Sequence, residues 1–259
     1  GASPVHTHLD LADWLRAHGV PTLAHPVLWE RSPRAAVMVA GNGSAMIYAR
    51  PGKPRSNRWP IERLGRADTF GAGKDIVAAL KQEPAVAFLA AESEEGGVWI
   101  GSRKGDARLV RTDDVISYEI RSGDPLLLGC NWSASSRDWL ERTWNGPFPD
   151  AVFHLFDQFR THRSGDLLVV APEGYDYRAR FEVPEHRSGH GSMIRVHMQT
   201  PVSANQALPA RTLRTVDLFP AMLDWLGVAA PENIDGDSVW KPGRVTPEHG
   251  VRHRMVATA

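Results

Sequence analysis

Two stretches of the chain are apolar at every position, and several others alternate or repeat with helical spacing. Ala35 to Ala40 and Leu167 to Ala171 are short unbroken apolar runs bounded by turn residues. Such runs predict strands covered on both faces, the second spanning 166–171 with Asp166 at its start. Gly41-Asn42-Gly43 links the first run to the apolar stretch 44–48, and that turn chemistry predicts a tight hairpin, because both central positions tolerate positive φ. Pieces at 85–90, 97–102 and 107–111, and a fourth at 115–120, are separated by Gly-, Lys- and Asp-containing turns. Their spacing predicts a small antiparallel subregion over 85–120.

The helical pattern is clearest at 150–163, where Val152, Phe153, Leu155, Phe156 and Phe159 form one apolar stripe, Asp150 suits the start and Gly165 the stop. A second helix is predicted over 216–226, with Leu218, Phe219, Met222, Leu223, Trp225 and Leu226, and Gly227 ends it. Shorter helices are expected from Leu11 to Gly19, over 75–80 and within 132–143. A short strand is expected at 200–204, a surface connection at 51–68, and a loosely held tail after Trp240. Helix, buried strand and polar loop in succession predict an α/β domain with a mostly parallel sheet flanked by helices. The chain is read as one such domain over 1–259 or as the C-terminal portion of a larger enzyme.

Composition narrows the function classes. With 259 residues, 42% of them hydrophobic, the chain can fill a core without staples. Thirty basic and thirty acidic residues cancel, so neither nucleic acid nor an anionic membrane surface is an expected partner. No apolar run reaches the length of a membrane span, and no secretory signal is visible, so a soluble protein is expected. The single cysteine, Cys130, has no disulfide partner and is read as a small packed residue.

Candidate chemistry concentrates after the 166–171 strand, where Glu173, Asp176, Arg178, Arg180, Glu185, His186, Arg187, His190 and His197 crowd into one segment. In open α/β sheets, ligands bind beyond the carboxyl ends of strands. One reading is a binding site; the other is a solvated lattice in which the arginines pair with Asp176, Glu182 and Glu185. His6-Thr7-His8-Leu9-Asp10 resembles the His-x-His of amidohydrolase-type and histidinol-phosphatase-type metal sites, although polar residues before an amphipathic helix is the preferred reading. Gly41-Asn42-Gly43 lacks the Gly-Lys-Ser/Thr ending of a phosphate loop and is read as a turn.

The succession Gly165 to Ala171, His190-Gly191, Arg214-Thr215-Val216-Asp217 with its helix to Gly227, then Pro231 and Asp235-Gly236-Asp237-Ser238, resembles the C-terminal half of the alkaline phosphatase superfamily. The likeness is to its type I phosphodiesterase/nucleotide pyrophosphatase branch and covers roughly 147–240. It implies an alkaline phosphatase-like core and in-line attack on a phosphate ester or diester at a two-metal centre. Where the family has Asp-His-Gly, this chain has Pro172-Glu173-Gly174; Asp124 is followed at the fourth position by Leu128 rather than His; and no nucleophile segment precedes Trp14. Only His190 matches a ligand position. A single divalent ion, zinc or manganese, held by His190 with His186 and with Glu173, Asp176 or Glu185 is the reduced expectation. His190 is expected to point toward Glu173 or Asp176, with His186 as its partner. The implied function is a phosphatase/phosphodiesterase-type metallohydrolase relative, incomplete or inactive, acting on a small phosphate ester; the rival is a non-catalytic binding or scaffold module.

Overall fold

The computed structural model describes residues 1–23, 32–49, 57–178, 183–205 and 211–237. These belong to two units, Gly1–Gln199 and Thr200–Ala259. The sequence expectations for residues 51–56, for Arg180 and Glu182, and for the tail after Trp240 lie outside the described residues.

The first unit begins with β1 (Ser3–Pro4), β2 (Thr7–His8), α1 (Leu11–Ala17), β3 (Thr22–Leu23), β4 (Ala35–Ala40) and β5 (Ser44–Ala49). Two helices follow, α2 (Ile61–Leu64) and α3 (Ile76–Gln82), then the strands β6 (Phe88–Glu92), β7 (Val98–Ser102), β8 (Gly105–Thr112), β9 (Val115–Gly123) and β10 (Trp132–Ser135). Helices α4 (Ser136–Thr143) and α5 (Ala151–Gln158) lead to β11 (Leu167–Val170), β12 (Tyr175–Asp176), β13 (Ser188–Gly189) and α6 (Arg195–Met198). Nine strands make one sheet in the order β10-β9-β8-β7-β6-β11-β5-β4-β3.

That sheet overturns the expected mostly parallel, alkaline phosphatase-like core. β11 is antiparallel to both neighbours, β5 and β6, and the one parallel pairing in the sheet is β3 with β4. Nor is antiparallel pairing confined to a small subregion at 85–120, since β6 to β9 are consecutive members of the main sheet. The apolar run at 167–170 reports burial on two faces, and burial carries no information about strand direction. Parallel sheets usually show such runs because helices cover both faces; here helices cover both faces of an antiparallel sheet.

The two-sided burial is visible residue by residue. Leu167 and Val169 join a cluster with Leu11 and Leu15 of α1, Leu64 of α2 and Ile76, Val77 and Leu80 of α3. Leu168 and Val170 face the other way, into a cluster with Trp139 of α4 and Val152 and Leu155 of α5. The alternation follows from the two-residue period of a strand. All four β11 side chains are buried, each apolar burial contributing roughly 1.5–3 kcal/mol relative to exposure.

Local chemistry sets several boundaries. Asp10 accepts from the Asp13 amide at 3.0 Å and Asp75 from the Ala78 amide at 2.9 Å, capping α1 and α3. The 41–43 turn closes a β4–β5 hairpin in which Ala40 faces Ser44, with Gly41 at φ 57° and Asn42 at φ 66°. Helix α5 stops five residues before the expected Arg163, where successive turns take over. Gln158 and Ser164 bind one another there: the Gln158 amide donates to Ser164 Oγ at 2.8 Å, and that hydroxyl donates to the Gln158 carbonyl. Residues 200–204 form no strand.

In the second unit a 3₁₀ turn, Thr215–Asp217, runs into α7, Leu218–Leu226, which Gly227 ends at φ 70°. The buried Asp217 carboxylate accepts from the Arg214 amide at 2.8 Å and the Asp237 amide at 3.0 Å. The Arg-Thr-Val-Asp and Asp-Gly-Asp segments are thereby tied together. Gly236 lies so close to the Val216 carbonyl that a Cβ there would sit 2.1 Å from its oxygen. No helix among the described residues is long and apolar enough to cross a membrane.

Asp166, fully buried, accepts from the Ala49 amide at 2.7 Å and the Trp59 amide at 2.8 Å, tying the end of β5 and the segment before α2 to the start of β11. Burial, and then the negative charge of Asp166, raise the Tyr48 pKa above its ordinary value. Asp166→Ala strands both amides and is expected to destabilise the fold by roughly 2–5 kcal/mol, and Asp166→Asn by less. Urea unfolding with an unchanged m-value is the measurement.

Candidate functional site

The crowded segment after β11 does not stand alone, because the amino-terminal strands lie along it. β2 pairs in parallel with β12, Thr7 opposite Tyr175 and His8 opposite Asp176, and β1 pairs antiparallel with β13, Ser3 opposite Gly189. The Val5 amide donates to the Arg187 carbonyl, the His6 and Thr7 amides to Gly174, and the Leu9 amide to Asp176. Gly174, at φ 85°, lets the two segments close: a Cβ there would lie 3.1 Å from the His6 ring. The result is a seam in which His6 and His8 meet the loop carrying His186, His190 and His197.

Asp176 and Asn42 form the buried floor of the seam. The Asn42 amide nitrogen donates to Asp176 Oδ2 at 2.9 Å and lies 2.7 Å from His186 Nδ1. Asp176 Oδ1 accepts from the Arg178 amide at 2.7 Å. Asp176 is fully buried and Asn42 nearly so, which is tolerable because both carboxylate oxygens have donors. Above this floor, His8 Nε2 is 3.1 Å from the His186 carbonyl, and His8 Nδ1 is 3.9 Å from Glu185 Oε2.

His190 takes a different position. Its backbone bridges to Asn42, its amide donates to the Gly41 carbonyl at 3.2 Å, and its carbonyl accepts from the Gly43 amide at 2.8 Å. Its ring lies over Gly41, where a Cβ would come within 2.7 Å of Nδ1, and the residue is exposed to solvent. Behind it, His197 Nδ1 accepts from the Ser192 amide at 3.2 Å, and Nε2 lies 2.9 Å from Ser3 Oγ. Burial holds the His197 pKa below its ordinary value, helped by the positive amino group of Gly1; Glu173 acts in the opposite sense, and His190 adds to the lowering. Protonating Nδ1 would also break the Ser192 hydrogen bond.

The residues expected to hold an ion are therefore divided. His186 and Asp176 are joined through Asn42, which lies between them; His190 stands over Gly41; Glu173 is exposed and acts on His197 through its charge. Asp10 caps α1. Among the described residues, no group of three or more His, Cys, Asp or Glu side chains is placed to hold a metal ion. His190, His186, Glu173 and Asp176 do not fit zinc or manganese as a ready ligand set, since the Asn42 side-chain nitrogen occupies the point that His186 Nδ1 and Asp176 Oδ2 share, and His190 stands apart over Gly41.

Three contributors were read in the sequence for other roles. Asn42 looks like a hairpin residue, and His6 and His8 look like polar residues before a helix. The available signal was the pairing of a His-x-His segment with a distant His-rich loop, together with an amide-bearing residue between two glycines where the β4–β5 hairpin turns. Comparison with protein-family models, with curated proteins and with solved structures finds no match to this chain.

Two predictions follow from this geometry. For His197, the lowered folded pKa means that the unfolded chain binds the proton more readily. Its contribution to stability is then present above about pH 6.5, the ordinary histidine value, and is lost as pH falls toward the depressed folded value. The urea midpoint of the wild-type chain should drop more between pH 7.5 and 5.5 than that of His197→Gln. For Asn42, the glycine variant keeps the left-handed turn and removes only the amide, whereas the alanine variant adds a left-handed backbone cost of about 1–2 kcal/mol. Both should destabilise, alanine more, in the same urea assay.

Proposed function

We propose that this chain is a binding module for a small phosphate ester, recognised on the outer face of the histidine seam and not hydrolysed by the chain's described residues. The observation that carries the reading is the pairing of β1 with β13 together with the reach of His8 Nε2 to the His186 carbonyl at 3.1 Å, which sets the segment bearing His6 and His8 beside the segment bearing His186 and His190. His6, Arg178, His186, Arg187 and His190 of these segments are each exposed to solvent, donors of the kind that recognise phosphoryl oxygens. The nearest buried carboxylate, Asp176, is already saturated by Asn42 and the Arg178 amide, and Glu185 lies beside His8. The choice of phosphate ester over other anions rests on the resemblance of His190-Gly191 and the Arg214–Gly227 helix to phosphodiesterase motifs.

A second reading, a phosphatase/phosphodiesterase-type metallohydrolase, is favoured by one feature: Asp176 Oδ2 and His186 Nδ1 both lie within hydrogen-bond distance of the Asn42 side-chain nitrogen, which an ion would have to displace. Calorimetry of the full chain with inorganic phosphate and with nitrophenyl phosphate, followed by nitrophenol release with added zinc or manganese, separates the two. Binding of both anions without turnover, weakened about tenfold, or 1.4 kcal/mol, in a His186→Ala/His190→Ala variant, supports the module. Turnover that needs metal and is lost in that variant supports the hydrolase. Absence of both binding and turnover removes both readings.

A further inference from the structure

A concave site lies at the β10 edge of the sheet. The segment after β9 and helix α4 enclose a cleft of about 130 Å³ lined by Leu127, Leu128, Cys130, Trp132, Trp139 and Arg142, with main chain and small residues closing the remainder. Trp139 lies behind the cleft, fully buried and fixed by its indole nitrogen donating to the Ile116 carbonyl at 2.8 Å. Trp132 stands against it edge to face, with ring centroids 4.4 Å apart. Leu127 sits at the rim with 44% of its surface exposed and its backbone at φ 60°, a conformation that a bulky residue adopts only at a cost.

Arg142 supplies the polar element. Its guanidinium stacks on the Trp132 ring, 3.6 Å from the centroid, and its one hydrogen bond among the described residues goes to Cys130 Sγ at 3.7 Å, a weak acceptor. It has neither a carboxylate nor a carbonyl partner among the described residues. A guanidinium offers five donors in a planar fork suited to a carboxylate, and stacking on an indole holds that fork in place.

We propose that this cleft binds a small aromatic carboxylate, its ring lying against Leu127, Leu128 and Trp132 and its carboxylate paired with Arg142. The volume sets the size, since apolar cavities of about 150 Å³ take one benzene ring and sites for drug-sized ligands run to about 300–1,000 Å³. The charge sets the class: a neutral ring would leave the guanidinium without an oxygen partner, and inorganic phosphate would leave the apolar wall uncovered.

Cys130 is the sole cysteine of the chain and lines the cleft, so its alkylation by iodoacetamide reports occupancy. Benzoate is the probe, with benzamide as the uncharged isostere and inorganic phosphate as the ring-free anion. Benzoate at a few times its Kd should slow alkylation about fivefold by mass action, and benzamide and phosphate should slow it little. Arg142→Leu should abolish protection while still unfolding cooperatively in urea, and Arg142→Lys should weaken it. Should the leucine variant not fold, the lysine variant decides. Calorimetric benzoate binding that survives in Cys130→Ser shows that the thiol reports on the site without forming it. No protection by benzoate, equal protection by benzamide, or full protection in the Arg142 variants overturns the proposal.

Discussion

The fold depends on one strand that must be dry on both faces and paired on both edges. β11 satisfies its backbone by antiparallel ladders to β5 and β6 at once, registering Leu167 against Ile47 and Ala91, and Val170 against Ser44 and Phe88. Because no edge or face of β11 meets water, its four residues need no polar position, and an unbroken Leu-Leu-Val-Val is the sequence that fits. The helices on either side follow from the same constraint. α1, α2 and α3 cover the face lined by Leu167 and Val169, and α4 and α5 cover the face lined by Leu168 and Val170. Asp166 fixes where the strand begins by holding Ala49 and Trp59 through their amides.

The histidine seam is built on the far end of that strand. After Val170 the chain has no further ladder in the main sheet, and Ala171 is held by its amide to Gly43 and by its carbonyl to Ser192 Oγ. The Gly41–Gly43 turn therefore supports both the end of β11 and the backbone of His190. Two short strand pairs then bind the amino-terminal segment to the loop, and the polar side chains beneath satisfy one another. Beneath the seam lies the Asp176–Asn42 pair, a buried carboxylate that is tolerable because its oxygens are donated to.

Several elements were legible: the runs at 35–40 and 166–171, the Gly-Asn-Gly hairpin and the Gly227 stop stand where local chemistry places them. Strand direction was not, because direction is set by where the chain re-enters the sheet, and Leu167–Val170 would have the same composition in either orientation. The site was half legible. The density of His186, His190 and His197 marks the loop, but that Asn42 would lie between Asp176 and His186, or that His8 would reach the His186 carbonyl, depends on pairings across more than a hundred residues. A motif such as Arg214-Thr-Val-Asp217 suggests chemistry by resemblance, whereas its Asp217 here accepts from the Arg214 and Asp237 amides.

The position of β11 also governs how the chain is assembled during synthesis. Its neighbours, β5 and β6, are made more than seventy residues earlier, and each offers an apolar strand edge until Leu167–Val170 has left the ribosome. The nascent chain thus carries two half-sheets, one ending at β5 and the other beginning at β6, each able to pair with the wrong partner. Closing the gap requires late, long-range contacts, which are slow to form. Insertion of this last-made central strand is the step that converts two aggregation-prone edges into one continuous sheet.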